Sequence, residues 1–480
     1  MPTAFRDLRD YLDRLTREIG DSAVRKIDGA DWNLEIGCIT ELMAEQTGPV
    51  LLFDNIPGYP NGYRVVSNYM GTVAACAVAM GLPADTSGID IVRHWKDLSG
   101  RLESIPPREV TDGPVLENVQ EGADVDLMAF PAPQWHQEDG GRYIGTACMV
   151  ITQDPDTGWV NIGTYRGCVQ GKDRLSSWML GSRHGKAIAE KYWKRGQACP
   201  IAVVVGSDPT LATAAAMPAP PGISEYDLAG GLRGEPVEVL RAPGTDLPIP
   251  AHAEIVIEGE MPPVEVESVH EGPFGEWTGY YTHDGPETVI RIQRILHRND
   301  PIILGAPPMI PTFTPGDQAV PLYSASVTWD HLEASGVQGV RGVWAYGRQM
   351  MMVISIDQRI EGQAMQALLA AAGRTRVGGV DRYFVVVDDD IDITDLNHVL
   401  WAMCTRADPA ESIHVIQSVT SAIDPRLSPR KRENDDYSMG IMLINACKPF
   451  AWKDEFPVSN RFDDTYRAEI RRRWKSVLEA

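Results

Sequence analysis

Between Tyr143 and Leu304 the sequence reads as one short strand-forming run after another, with few helix-length segments between them. Strands of that kind cannot bury their apolar faces singly, so this stretch commits the chain to a barrel-like sheet. Tyr143 to Thr152 and Trp159 to Tyr165 are rich in strand formers, and Gln153-Asp154-Pro155-Asp156-Thr157-Gly158 between them has the composition of a hairpin turn. Asn161 and Arg166 therefore fall on or just after a strand. Ile201 to Val205, Glu254 to Glu258 and Thr288 to Leu296 add further strands. Leu175 to Arg195 carries apolar residues at helical spacing despite Gly181 and Gly185, which places His184 on a helix. Ala212 to Ala216 runs into Met217-Pro218-Ala219-Pro220-Pro221, where a helix cannot continue, so a loop is expected to deliver Glu225.

The flanking regions are mixed in character. Phe5, Leu8, Leu12, Leu15 and Ile19 recur at helical spacing among charged residues and predict an opening amphipathic helix. Val50-Leu51-Leu52-Phe53 reads as a strand, and Met70 to Met80 as a buried helix. Together they make an α/β lobe up to about residue 110, followed by a Pro- and Asp-rich connection from Ile105 to Trp135. Pro307, Pro308, Pro311, Pro315 and Pro321 mark a linker. Beyond it Val337 to Trp344, Met350 to Ile356 and Tyr383 to Val387 read as strands and Gln363 to Ala372 as a helix, giving a second α/β domain. Tyr466, Ile470, Trp474 and Val477 share one face of a terminal helix that should dock on its own chain or on a partner.

At 480 residues the chain exceeds one ordinary core. A net charge of -22 leaves no dominant basic surface, which argues against a phosphate-backbone binder. The seven cysteines are scattered without a CxxC pair, suggesting neither a disulfide framework nor a zinc cluster. With a charged opening segment and no apolar run of membrane length, a cytoplasmic protein that binds neither membrane nor nucleic acid is expected.

Glu271-Gly272-Pro273-Phe274-Gly275-Glu276 puts two carboxylates on one short turn. Acid chemistry often keeps one carboxylate protonated beside another kept charged, and a rigid turn can give the two different surroundings. Arg166, always cationic, could hold a glutamate or a substrate acid bidentately. Taken singly, each of these residues reads equally as a surface ion pair or an acid facing water. Asn161, His184 and Glu225 offer an amide oxygen, an imidazole and a carboxylate, a set that suits Mn²⁺ or Mg²⁺ better than a thiolate-seeking metal. Spacing alone does not separate that set from a structural histidine and its neighbours. Ala229-Gly230-Gly231-Leu232-Arg233-Gly234 lacks the glycine spacing of a dinucleotide fingerprint and reads as a flexible loop. Ser176, Ser177 and Ser182 sit in no GxSxG elbow, so serine hydrolysis is not indicated.

Asn161-Ile162-Gly163-Thr164-Tyr165-Arg166, taken with the Glu271 to Glu276 turn, resembles the Glu-Arg-Glu signature of the UbiD-type decarboxylases, a family that uses prenylated flavin mononucleotide (prenylated FMN). The resemblance runs from Gly48-Pro49-Val50-Leu51-Leu52-Phe53 through Asp388-Asp389-Asp390-Ile391-Asp392 and Val399-Leu400-Trp401-Ala402. It implies an α+β fold with an N-terminal α/β lobe and a flavin-binding split β-barrel (residues 1–306), an α/β oligomerisation domain (322–455) and a C-terminal helix (456–480). The implied function is reversible, non-oxidative decarboxylation of an aromatic, heteroaromatic or α,β-unsaturated carboxylic acid through a covalent prenylated-FMN adduct. A carboxylase working in reverse, or a non-catalytic flavin-binding protein, is the alternative.

By the same resemblance Glu276 is the proton donor, Arg166 orients both acids, and Glu271 maintains the network. Asn161, Ile162, Gly163, Thr164, Tyr165, Arg166, Arg183, His184, Glu225 and Arg382 would bind the cofactor. Asn161, His184 and Glu225 would hold the divalent ion at its phosphate. Trp159, Ala214, Ala215 and Met217 would hold potassium together with Glu225. A flavin prenyltransferase would supply the cofactor, and the assembly would be a homodimer or homohexamer. Two positions depart from the family pattern: Asn445 stands where many relatives have Asp, and Arg382 where relatives have a phosphate-binding lysine. Trp277, directly after Glu276, could wall a flat substrate and leans the reading toward a multi-ring, indole- or phenazine-type acid, with His331 reaching the same pocket.

Overall fold

The computed structural model describes residues 5–99, 101–179, 183–217, 219–282, 284–311, 319–374, 379–421 and 423–478. Its largest element is a sheet of ten strands, all paired antiparallel. The order is Tyr143–Gly145, Gly167–Val169, Arg174–Ser177, Gly285–His297, Ile255–Met261, Cys199–Val205, Met149–Gln153 and Val160–Gly163. Asn118–Glu121 and Ser268–Glu271 also pair with the long strand Gly285–His297. Both faces are covered. In Cys199–Val205, Ile201, Val203 and Val205 enter one core cluster while Ala202 and Val204 enter another, as the period of two in a strand requires. The fold class is α+β, as expected from the sequence.

The first lobe is a four-stranded sheet: Val24–Asp28, Val50–Asp54, Arg64–Ser67 and Ile302–Leu304. Its last strand comes back from the end of the strand-rich region to pair in parallel with Arg64–Ser67. Helix Leu8–Ile19 starts where the Asp7 carboxylate accepts from the Asp10 N–H, and it buries Leu8, Tyr11, Leu12 and Leu15. Arg9 clamps Glu254 through Nε and Nη2 at 2.9 and 2.7 Å, and Arg298 reaches Asp7 at 2.9 Å, so this helix is tied to the large sheet. The expected buried helix is Val73–Ala79, starting late because Thr72 caps it by accepting from the Ala75 N–H.

The C-terminal sheet has the order Val340–Tyr346, Met351–Ile356, Tyr383–Asp388, Ser438–Ala446, Ile413–Thr420. A single apolar cluster runs from Leu8 and Ile91 through Trp329 to Trp344, Val353 and Val386, so the first lobe and this sheet share a core.

Four expectations are corrected. The segment from Leu175 does not open a helix: Arg174–Ser177 is a strand laddered to Gly167–Val169 and Gly285–His297, and the helix is His184–Lys194. Leu175 and the serines after it are buried in the sheet, and that pairing outweighs the helical spacing. Glu225 arrives as the first residue of helix Glu225–Arg233, behind Ser224, whose hydroxyl accepts from the Tyr226 N–H. Gly230 and Gly231, read as a loop, lie inside that helix, and glycine is required there because the Ile105 and Glu103 carbonyls pack where a Cβ would stand. Past the proline cluster, Ala319–Ala334 forms a helix that hydropathy alone did not mark, while 312–318 fall outside the described residues. Beyond these four, the terminal segment is two helical pieces, Asp464–Arg473 and Lys475–Leu478, whose Tyr466, Trp474 and Val477 are exposed, so of the two docking alternatives they do not take the one on their own chain.

Candidate active site

Arg166 follows strand Val160–Gly163, and Glu271 ends strand Ser268–Glu271; the structure brings both together beneath the turn that carries Glu276. Arg166 Nε donates to Glu271 Oε1 at 2.9 Å and Nη2 donates to Oε2 at 2.7 Å, a planar bidentate pair. Glu271 is 1% exposed, so the pair is dry. The guanidinium lies over Trp178 and Phe274, 4.5 and 5.4 Å from the ring centroids, which fixes its plane. Its remaining nitrogen, Nη1, is buried without a hydrogen-bond partner and stands 3.8 Å from Glu276 Oε1.

Glu276 is held at the end of a small ribbon, Phe274–Gly275 against Tyr281–Thr282. Its N–H donates to the Tyr280 carbonyl and its own carbonyl accepts from Gly279, closing the turn. The Gly272–Pro273 bond is cis. Behind it, Gly140 donates its N–H to the Pro273 carbonyl at 2.8 Å and approaches Gly272 so closely that a Cβ at 140 would lie 1.9 Å from the Gly272 oxygen. Burial raises the Glu276 carboxyl above its ordinary range, while Arg166, the Trp277 N–H, Arg348 and Arg183 pull the other way. Glu276 is the partly open member, with its side chain 18% exposed. Asp139, on the strap behind the turn, accepts from the Trp135 and His136 N–H groups, and burial pushes it up to about 6 against the pull of His136 and Arg166.

A second cluster forms where strand Val160–Gly163 meets the ends of helices His184–Lys194, Pro209–Ala216 and Glu225–Arg233. Asn161 Nδ2 donates to Glu225 Oε1 at 2.9 Å, and the Ile162 N–H donates to Oε2 at 2.6 Å. Asn161 Oδ1 is buried with no partner, and burial raises Glu225 to about 7 with only neutral donors to oppose it. An orphan amide oxygen beside a carboxylate lacking a counter-charge fits a bound cation. His184 opens its helix with its ring edge-on to Trp159, whose Nε1 donates to the Ile223 carbonyl. Ala214, Ala215 and Met217 lie at the C-terminal end of helix Pro209–Ala216, where backbone carbonyls outnumber their helical donors. Among the described residues no group of three or more His, Cys, Asp or Glu side chains assembles; this cluster depends on an amide.

Gly163 and Thr164 lead into Tyr165, whose buried hydroxyl accepts from the Gly185 N–H, while Thr164 and Arg183 are exposed. Arg382 lies apart on the C-terminal sheet, where Nη2 donates to Asp424 at 2.8 Å. Trp277 packs against the core shared by the first lobe and that sheet. His331 is in the last turn of helix Ala319–Ala334 with Nε2 3.5 Å from Ser335 Oγ, and among the described residues no hydrogen bond joins it to Glu276. Sequence reasoning passed over Tyr143, Trp178, Asp139 and Arg348, since each is an ordinary strand or loop residue until the chain is folded.

Three family models match in turn: the 3-octaprenyl-4-hydroxybenzoate carboxy-lyase N-terminal domain over residues 21–95, its Rift-related domain over 108–311, and its C-terminal domain over 321–446. The chain is 32% identical to a pyrrole-2-carboxylic acid decarboxylase of Pseudomonas aeruginosa, covering 97% of this chain and 96% of the relative. It is 33% identical to a phenolic acid decarboxylase of a Streptomyces species, covering 93% of each. Among solved structures, the UbiD-class enzyme HmfF from Pelotomaculum thermopropionicum in complex with FMN superposes with a TM-score of 0.83 at 27% identity, over 96% of this chain and 98% of that one. With all three models matched in order and relatives aligned along nearly their whole length, the chain belongs to the UbiD family of carboxy-lyases.

Proposed function

We propose that this carboxy-lyase performs reversible, non-oxidative decarboxylation of an aromatic, heteroaromatic or α,β-unsaturated acid with prenylated FMN as its cofactor. The observation that carries the reading is the dry Arg166–Glu271 pair, with Nη1 unpartnered and turned toward a Glu276 whose carboxyl burial raises. The pyrrole and phenolic acid decarboxylases and the FMN complex of HmfF support the acid class and the flavin. Bound in the site, the cofactor would supply the sink for the electron pair that CO₂ leaves behind.

The chain's own residues do the rest. Glu276 keeps a proton because burial disfavours its anion, and it gives that proton to the reacting carbon while Arg166 Nη1 stabilises the carboxylate left behind. Glu271 fixes Arg166 from the opposite side. Asn161, His184 and Glu225 are the residues we assign to Mn²⁺ or Mg²⁺ at the cofactor phosphate. Trp159, Ala214, Ala215 and Met217 are assigned to K⁺. The exposed Thr164 and Arg183 are the nearer candidates for phosphate contact, and Arg382, already paired with Asp424, is the weakest. Trp277 would wall the substrate, which favours a multi-ring acid over a single ring. Residues 322–455 and the exposed terminal helix would carry self-association, with Tyr466, Trp474 and Val477 as its free apolar face.

Protein produced with a flavin prenyltransferase should decarboxylate at least one acid in a panel spanning pyrrole, phenolic, cinnamic and indole carboxylates, and protein produced without it should not. Glu276→Gln should keep the cofactor and lose roughly 10² to 10⁴-fold in turnover, with product hydrogen exchange in D₂O falling in parallel. Near-normal turnover and exchange in that variant would assign the proton to another group.

A further inference from the structure

Glu271 does not rely on Arg166 alone. Its Oε1 also accepts from the Tyr143 hydroxyl at 2.7 Å, so one carboxylate oxygen takes two donors and the other takes one. Tyr143 is fully buried, its ring stacked on Phe274 with centroids 3.8 Å apart. Both of its backbone groups are held as well: its N–H donates to the Pro133 carbonyl, and its carbonyl accepts from the Trp135 indole at 3.0 Å. Stacking on Phe274 needs only a phenyl ring. A hydroxyl buried at that depth is costly unless it is bonded, and this one is aimed at the acid.

We propose that Tyr143 is a positioning residue for the reaction: its phenol holds the Glu271 carboxylate in register with Arg166, and so keeps Arg166 Nη1 turned toward Glu276. This rests on the proposed decarboxylation. Phe274 links the two ends, since it stacks on Tyr143, lies under the Arg166 guanidinium, and stands in the turn two residues before Glu276. The other titratable and charged groups facing the pair are Cys168, Glu276 and, through Arg166, Asp139. Burial pushes the Cys168 thiol up to about 12 and the Tyr143 phenol well above its usual value, so both stay protonated at neutral pH.

The test is Tyr143→Phe in the cofactor-loaded enzyme, since phenylalanine keeps the stack and removes only the donor. A hydrogen bond to a charged group corresponds to roughly 10- to 100-fold, so kcat should fall by about that factor with KM little changed. The alkaline limb of the rate profile should also move up, because Arg166 Nη1, no longer held toward Glu276, opposes less the burial that raises the Glu276 carboxyl. A pH-independent loss would reduce Tyr143 to packing and overturn the inference. Should Tyr143→Phe fail to fold, 3-fluorotyrosine at 143 keeps the shape and strengthens the donor; the alkaline limb should then move down, and an unmoved limb overturns the proposal. Carbon-13 titration of the Glu276 carboxyl in wild type and Tyr143→Phe needs no substrate. A higher Glu276 titration in the variant would therefore sustain the link from Tyr143 through Glu271 and Arg166 even if the wild type turned over no acid, whereas unchanged titration would end it.

Discussion

Glu271 and Glu225 are both buried carboxylates at the ends of the same sheet's strands and helices, and the protein treats them oppositely. Glu271 is given a full counter-charge from within, Arg166 on both oxygens and Tyr143 on one of them. Glu225 is given an amide and a backbone N–H, neither of which carries charge, and burial raises it to about 7. A carboxylate neutralised by its own chain can hold an arginine still; one left without a counter-charge calls for a cation from outside. On the proposed function the first arrangement orients, and the second binds.

Breaking the first arrangement should have the largest effect. Arg166→Ala leaves Glu271 buried with only Tyr143 for a donor, and removing one member of a buried ion pair costs roughly 3–5 kcal/mol. Chemical denaturation should show that loss, whereas Glu225→Gln, which removes a charge having no counter-charge, should leave the metal-free protein about as stable as wild type or more so. Equal losses in the two variants would erase the contrast.

Asp139 sharpens it. Like Glu225 it accepts only from neutral donors, here the backbone N–H groups of Trp135 and His136, but it lies within the field of Arg166 and His136 and is raised to about 6. A carboxyl whose folded value is raised contributes stability that is fully present below its unfolded value and is lost as pH rises through about 6. A shift of about two units corresponds to about 3 kcal/mol. The stability difference between wild type and Asp139→Asn should therefore turn against wild type by up to that amount between pH 4 and pH 7 in urea unfolding. A difference independent of pH would mean that Asp139 ionises in the fold as easily as in water.

The sequence made some of this legible and hid the rest for physical reasons. Arg166, Glu271 and Glu276 were recognisable because the turn and the Asn161 to Arg166 run are contiguous motifs, and the strand-rich middle announced its sheet through β-branched runs. Tyr143 could not be found that way. It is separated from Glu271 by 128 positions, and only the pairing of the strands brings the phenol to the acid. The misreading of Leu175 came from weighing helical spacing over two consecutive serines that belong to a buried ladder. Glu225 was expected on a loop because the prolines before it end one helix, but Ser224 starts another at once. Tertiary pairing and capping decided those elements, and neither shows in periodicity.

The smallest effect, and the most direct comparison of the two acids, is the response to added cation. If Glu225 and Asn161 Oδ1 await a positive ion, Mn²⁺ binds the folded chain and not the unfolded one, and stability rises by mass action. At a free concentration one hundred times the dissociation constant the gain is about 2.7 kcal/mol, read as a rise in Tm that saturates with metal. Glu225→Gln should abolish the rise, and His184→Ala should reduce it. Arg166→Ala, already destabilised, should keep it in full, because its missing charge belongs to the other cluster. A Mn²⁺ response that disappears in Arg166→Ala but survives in Glu225→Gln would place the cation beside Glu271, and with it would go the distinction between a carboxylate that orients and one that binds.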